Sequence, residues 1–332
     1  MSLPLVSVAV PAYNHAAFLD ACLESVRNQS YPRLELVVVD DGSTDATLAV
    51  AERFATAHAE RFEHLSVIHQ ANQGVSAASN RAIAACRGEW VHLLGSDDLL
   101  YPNKIQCQQQ AIESWNDPRL ALVYADVNFI DAAGRILSSA TRNRRPPGPD
   151  HQAYLWLLRY NDIANPTVAL RREAFLAIGG FDESLPLEDL DCWLRLSARH
   201  AVARVAGLLA AYRRHDGNAS RRQLMMFEAN WDTLAKFAEQ HGDLIPPALW
   251  RACLRRRLRS FLRWARKHAP ALVPTILGDA LRSLIPYPGT RRLAPLRRAL
   301  PRAASLIFPY PQYVSSKKPS LIKMLYLERS LV

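Results

Sequence analysis

Hydrophobic residues in the first half of the chain fall in short unbroken runs, each cut off by a polar or glycine-bearing cluster. Leu5 to Val10 ends at Pro11-Ala-Tyr-Asn14, and Leu34 to Val39 ends at Asp40-Asp41-Gly42-Ser43-Thr44-Asp45. Leu65 to His69, Trp90 to Leu94 and Ala121 to Asn128 repeat the pattern. Runs this short, apolar at odd and even positions alike, read as strands buried on both faces. The intervening stretches carry a helical period instead. Ala16 to Asn28 sets Phe18, Leu19, Leu23 and Val26 on one side. Further helices follow to about His58, over Gly74 to Cys86, and from Pro102 to about Trp115. Alternation of this kind predicts an α/β fold, a mostly parallel sheet flanked by helices.

The rhythm weakens after Asn128. Arg142 to Asp150 is rich in proline and predicts a mobile loop or lid. Asn165 to Leu170 is strand-like, Gly179 to Asp182 is a turn, and Glu188 to Arg199 is an amphipathic helix. A last strand is expected over Ala203 to Ala211, ending at Tyr212-Arg-Arg-His215. From Leu224 on, only helical patterns remain. The sharpest runs from Leu249 to His268, one apolar stripe surrounded by Arg and Lys.

Charge divides the chain at the same place. Residues 1–220 hold 20 basic and 25 acidic side chains, whereas residues 221–332 hold 21 and 6. Two parts are therefore expected, a mildly acidic body over 1–220 and a basic, mostly helical region over 221–332, each with its own partners. The five cysteines are scattered without CxxC spacing, which fits a reducing cytoplasm better than a disulfide framework. Met1-Ser-Leu-Pro-Leu lacks the regions of a secretory signal, and no apolar run reaches the ~18–20 residues of a membrane span.

Two of the runs end in adjacent carboxylates, Asp40-Asp41 and Asp97-Asp98. In an open α/β sheet, ligands bind outside the carboxyl ends of the strands. The stretch Leu93-Leu94-Gly95-Ser96-Asp97-Asp98 thus places two mutually repelling acids at a ligand-binding edge, which suits a divalent cation facing phosphates. A helix cap is the competing explanation, with Asp98 preceding Leu99-Leu100-Tyr101-Pro102. The turn after the first run is not a G-x-G-x-x-G loop, and no Walker A sequence occurs. Neither a dinucleotide cofactor nor a P-loop is expected. What remains is a nucleotide held by carboxylates and backbone, its phosphates reached through a metal.

Five motifs in order then resemble one family. They are Val6-Ser-Val-Ala-Val-Pro-Ala-Tyr-Asn14, Glu35-Leu-Val-Val-Val-Asp-Asp-Gly-Ser-Thr-Asp45, Asn72-Gln-Gly-Val-Ser-Ala-Ala78, Leu94-Gly-Ser-Asp-Asp98 and Glu188-Asp-Leu-Asp-Cys-Trp-Leu-Arg195. Their succession resembles the family 2 glycosyltransferases of the GT-A fold, over about residues 4–220 and none of the tail. The resemblance implies a nucleotide pocket lined by Pro11, Tyr13, Asn14, Asp40, Asp41, Asn72, Gly74, Arg81 and Ser96, with Tyr13 stacking on the base. It implies a divalent cation, Mn²⁺ or Mg²⁺, at Asp97 and Asp98, completed by His215. Gly95 stands where relatives carry the first acid of Asp-x-Asp, and Ser79 where many carry arginine. Ser43 and Asp45 are read as caps of the following helix. Asp189, with Glu188 beside it, would be the base that deprotonates the acceptor hydroxyl. Asp191 would be structural or a partner for Arg195.

The function implied is a metal-dependent inverting glycosyltransferase. It would move a sugar from a nucleotide-sugar donor, UDP-sugar by default, to a hydroxyl of a glycan or lipid-linked acceptor in surface polysaccharide biosynthesis. The alternative is a catalytically silent nucleotide-sugar-binding subunit of a glycan-assembly complex. The basic region can lie on an anionic membrane at the cytoplasmic face, with Arg snorkelling from an amphipathic helix, or pack on the body. No nucleic-acid partner is expected.

Overall fold

The computed structural model describes residues 3–140, 145–185, 188–218 and 223–268. Two compact units emerge, Met1–Glu183 with Glu188–Arg221, and Ser184–Leu187 with Arg222–Val332. The rest of the basic region, including Ile285-Pro-Tyr-Pro-Gly and Phe308-Pro-Tyr-Pro, lies outside the described residues.

The first unit is built on a sheet whose opening half follows the apolar runs. Strands β1 (Val6–Ala12), β2 (Leu34–Asp40), β3 (His64–His69) and β4 (Trp90–Leu93) are separated by α1 (Ala16–Arg27), α2 (Thr47–His58) and α3 (Val75–Ala85). They lie in the order β3-β2-β1-β4, all parallel. Every residue of β2 and β4 is buried, as unbroken apolar runs between two helical layers require. Val8, Val10, Leu36 and Val38 meet Leu19, Leu23 and Val26 of α1 and Val50 and Phe54 of α2 in one core.

Beyond β4 the sheet is mixed. Helix α4 (Lys104–Trp115) leads into the eleven-residue β6 (Leu120–Ile130), which runs parallel to β10 (Ala201–Arg213). Between β4 and β6 sits β9 (Ala169–Arg171), antiparallel to both. The strand expected from Asn165 begins only at Ala169, because Asn165–Thr167 forms a 3₁₀ turn. Pro166 has no N–H to give to a ladder, and the Thr167 and Val168 amides bond back to Ala164 and Asn165.

Two further expectations change. Leu99–Leu100 is a short strand, β5, antiparallel to β10, so Asp98 precedes a strand and caps no helix. Of the proline-rich segment read as a loop, residues 142–144 lie outside the described residues. Its end, Gly148–Asp150, is strand β8, antiparallel to the start of β10. Proline survives there because an edge strand leaves N–H positions unused. Strand β7 (Ile136–Ala140) pairs with β6 on the other side. Short helices α5 (Tyr154–Leu157) and α6 (Arg172–Ala177) precede α7 (Glu188–Ser197).

In the second unit, α8 (Gln223–His241) and α9 (Pro247–His268) meet through Phe227, whose ring lies 5.1 Å from Phe261 and 6.0 Å from Trp264. Trp250, Cys253, Leu254, Phe261 and Ala265, the apolar stripe of α9, are buried. Arg251, Arg255, Arg259, Arg263 and Lys267 recur every fourth residue on the exposed side, and the helix contains no acid. No described helix is long and apolar enough to cross a membrane.

Candidate active site

The ends of β1 and β2 are locked together by side chains that the motifs singled out. Asn14 sits in the left-handed region, φ 51°, and its Oδ1 accepts the Thr44 N–H at 2.8 Å. Its own N–H donates to Ser43 Oγ at 3.0 Å, so Ser43 serves this link and not the helix it was expected to cap. Asp45 does cap: its carboxylate accepts the Thr47 N–H of α2 at 2.9 Å and the Ala16 N–H of α1 at 3.1 Å. Gly42 adopts φ 70° where a Cβ would lie 2.7 Å from the Asn72 amide, so only glycine admits the 70–74 loop this closely. Both oxygens of Asp41 hold that loop, accepting from the Gln70 side chain and the Gln73 and Gly74 amides at 2.7–2.9 Å. Asp40 is fully buried; its Oδ2 meets His69 Nδ1 at 2.8 Å and its Oδ1 has no hydrogen-bond partner. Pro11 is half-buried, whereas Tyr13, Asn72 and Arg81 are exposed beside this floor. Arg81 reaches Gln70 Oε1 at 3.0 Å.

The turn after β4 brings a second set of residues to the same sheet edge. Asp97 Oδ2 lies 2.9 Å from His215 Nε2 and accepts the Asn218 side-chain amide at 3.1 Å. The Gly217 N–H donates to His215 Nδ1 at 3.2 Å, which leaves the ring proton on Nε2, facing Asp97. A third residue joins them that the motifs did not flag. His15, the residue that opens α1, has a ligand atom within 4.8 Å of those of Asp97 and His215. Two imidazole nitrogens and a carboxylate oxygen form a donor set that fits a divalent metal ion.

Asp98 does not enter this cluster. Its side chain is buried and its Oδ1 accepts the Arg213 N–H at 2.8 Å. Burial first, and the neighbouring Asp97 second, push its carboxyl well above the usual range. Gly95 also acquires a role. A Cβ there would lie 3.0 Å from Asp97 Oδ1 and 3.1 Å from Asp98 Oδ2, so glycine leaves room for both acids. Ser96 is buried and its Oγ lies 2.8 Å from His15 Nδ1.

The acid pair stands at the start of α7, where the helix dipole favours negative charge. Asp189 Oδ2 accepts the Asn161 side-chain amide at 3.1 Å. Burial, and then the neighbouring Asp189, raise the Glu188 carboxyl to about 7. Burial also raises Asp189, against hydrogen bonds from Asn161 and the Leu190 amide. Two adjacent acids held up in this way are costly, and such perturbation concentrates at functional sites. Asp191 is a partner for Arg195, 2.7 Å from its Nε. That guanidinium also holds the Ile178 and Gly180 carbonyls, which anchors α7 to the preceding turn.

A floor built at parallel strand ends, a metal-competent cluster at the same edge and a raised acid pair at the start of α7 suit a sugar-transfer enzyme. The chain belongs to glycosyl transferase family 2, whose domain matches residues 7–179, and is a glycosyltransferase. The chondroitin synthase of Escherichia coli is 38% identical over 136 residues, 41% of this chain but 19% of that longer protein. Among solved structures, S. aureus TarS 1–349 in complex with UDP superposes with a TM-score of 0.62 at 18% identity, covering 98% of this chain and 87% of that one. The mannosyltransferase PcManGT from Pyrobaculum calidifontis, in complex with GDP-Man and Mn²⁺, gives 0.56 at 20% identity, covering 91% and 86%. These likenesses establish the GT-A type of fold.

The raised Glu188 makes a stability prediction. Its folded value near 7 exceeds the ordinary 4.5, so the unfolded chain ionises first and stability falls as pH rises from 4.5 to 7. Glu188→Gln therefore raises the melting temperature more at pH 8 than at pH 5. Thermal melts at the two pH values check this; an equal change at both contradicts it.

Proposed function

We propose that the chain is a metal-dependent inverting glycosyltransferase, using a nucleotide sugar, by default a UDP-sugar, to glycosylate a hydroxyl of a glycan or lipid-linked acceptor. The observation that carries this reading is the meeting of Asp97 and His215, contributed by different strand ends, in the unit that also holds the Glu188-Asp189 pair. The two structural relatives, one in complex with UDP and the other with GDP-Man and Mn²⁺, support a nucleotide-sugar donor and a cation. The name of the chondroitin synthase supports a polysaccharide acceptor.

In this reading Tyr13 offers its exposed ring to the base, and Pro11, Asn14, Asp40, Asp41, Asn72, Gly74 and Ser96 shape the nucleotide floor. Arg81 faces the diphosphate. Asp97 and His215 hold the cation, which when bound neutralises charge on the leaving diphosphate. Asp98 supports that site from below by fixing the end of β10. Asp189 takes the proton of the acceptor hydroxyl as its oxygen bonds to the anomeric carbon and the nucleoside diphosphate departs with the electron pair from the opposite face. Its raised carboxyl is a stronger base than an ordinary aspartate. Glu188 beside it tunes that basicity. The chain acts in the cytoplasm, and the exposed cationic ridge of α9 holds it on an anionic membrane face. Because the apolar stripe of α9 is already buried, that contact is electrostatic, with no inserted helix.

Asp189→Asn is expected to lower transfer about 10²–10⁴-fold while leaving donor affinity within a few-fold. Nucleoside diphosphate release with membrane glycolipids as acceptor, and donor titration, measure the two. Loss of donor binding alongside transfer would remove Asp189 from the role of base. For α9, sedimentation with anionic vesicles should fall steeply from low to high salt. Absence of binding at low salt rejects the membrane contact.

A further inference from the structure

We propose that His15 is a third protein ligand of the cation, giving a two-histidine, one-carboxylate face that binds Mn²⁺ before any nucleotide arrives and prefers it to Mg²⁺. This rests on the metal-assisted transfer proposed above. His15 comes from the end of β1, Asp97 from the turn after β4 and His215 from the end of β10, and their ligand atoms lie within 4.8 Å of one another. The 2.9 Å between His215 Nε2 and Asp97 Oδ2 is the separation of adjacent ligands on one ion, given metal–ligand bonds of about 2.1 Å. An ion there would displace the Nε2 proton, and the neutral ring would then carry its proton on Nδ1 and give up the bond from the Gly217 N–H.

Three features of His15 favour this role over a merely structural one. It opens α1 but its side chain makes no capping hydrogen bond, so the helix start does not use its imidazole. Its Nδ1 is instead held at 2.8 Å by the buried Ser96 hydroxyl, next to Asp97 in the chain. Ligating histidines are oriented in this manner through their second nitrogen, which leaves Nε2 free for metal. The ring also meets His215 edge-on, with centroids 5.6 Å apart, while Phe18 packs on His215 at 4.7 Å. The cluster is therefore walled by aromatic carbon on the side of α1.

Two consequences follow from the donor chemistry. Asp97 and His215 alone leave most of an ion's coordination to the donor's phosphates, whereas a third protein ligand lets the site hold it before a donor arrives. Imidazole nitrogen also favours first-row transition ions, while Mg²⁺ prefers oxygen and keeps its waters.

Direct binding of Mn²⁺ to the nucleotide-free protein, followed by loss of the free-ion electron paramagnetic resonance signal and by competition with Mg²⁺, tests this. Wild type should bind Mn²⁺ without nucleotide. His15→Gln should weaken it tenfold or more and shrink the Mn²⁺ over Mg²⁺ preference. His15→Asp, which trades nitrogen for oxygen, should retain an ion and move the preference towards Mg²⁺. Unchanged Mn²⁺ affinity in folded His15→Gln, with binding abolished in Asp97→Asn, overturns the role of His15 and leaves the metal reading intact. Mn²⁺ uptake by wild type only when UDP is present also overturns the proposal. Wild type that takes up no Mn²⁺ even with UDP overturns the metal reading itself.

Discussion

The geometry of the site depends on how Arg213 closes the end of β10 onto the turn after β4. Its backbone N–H donates to the buried carboxylate of Asp98, and its Nε donates to the Asp97 carbonyl at 2.7 Å. The same guanidinium reaches the Asp131 and Ala132 carbonyls at 3.2 and 2.9 Å and lies 5.1 Å from the centre of the Phe18 ring. One side chain thus ties together the turns after β4 and β6 and the first turn of α1. His215 follows two residues later and is delivered to Asp97 across 118 positions of sequence. Asp98 is costly in this place, since burial opposes its charge, and the Arg213 bond offsets part of that cost.

Much of this was legible in the sequence because the strand signal is local. Short unbroken apolar runs, alternating with helical stretches, read as buried strands, and the mostly parallel sheet expected from them is present in β3-β2-β1-β4. The division of labour between Asp97 and Asp98 was not legible. Adjacent side chains point different ways, and which one faces solvent depends on the antiparallel bridge between Leu99–Leu100 and β10, a contact between distant segments. His15 escaped notice for a similar reason. Its sequence signal is only a histidine just past a strand end, and its meaning depends on β1 lying beside β4, with register Ala9 to Leu93. Gly95 looks like a lost carboxylate from the motif alone. Its neighbours show that it also makes room for two acids.

The two ends of the chain follow different physics. In the body, acids are concentrated at strand and helix ends, where backbone amides and a cation can satisfy them. In α9 the charge is of one sign and projects outward, while the apolar stripe is used for packing within its own unit. The sequence of this helix allows a membrane surface or packing, and in the structure five residues of its apolar stripe are buried and Phe261 packs on Phe227. Among the described residues, the side of α9 left exposed is its cationic ridge, and a contact made through that ridge, as proposed, would be governed by salt.

In the proposed function, the edge formed by β1, β2 and β4 receives a nucleotide sugar with a divalent cation. Thermal unfolding of the intact chain against a panel of nucleotide sugars, with Mn²⁺ and with a chelator, addresses it most directly. At a concentration a hundredfold above Kd, one nucleotide sugar should stabilise the fold by about 2.7 kcal/mol, read as a rise of several degrees that the chelator removes. A melting temperature unmoved by every nucleotide sugar in the presence of Mn²⁺ would contradict the account.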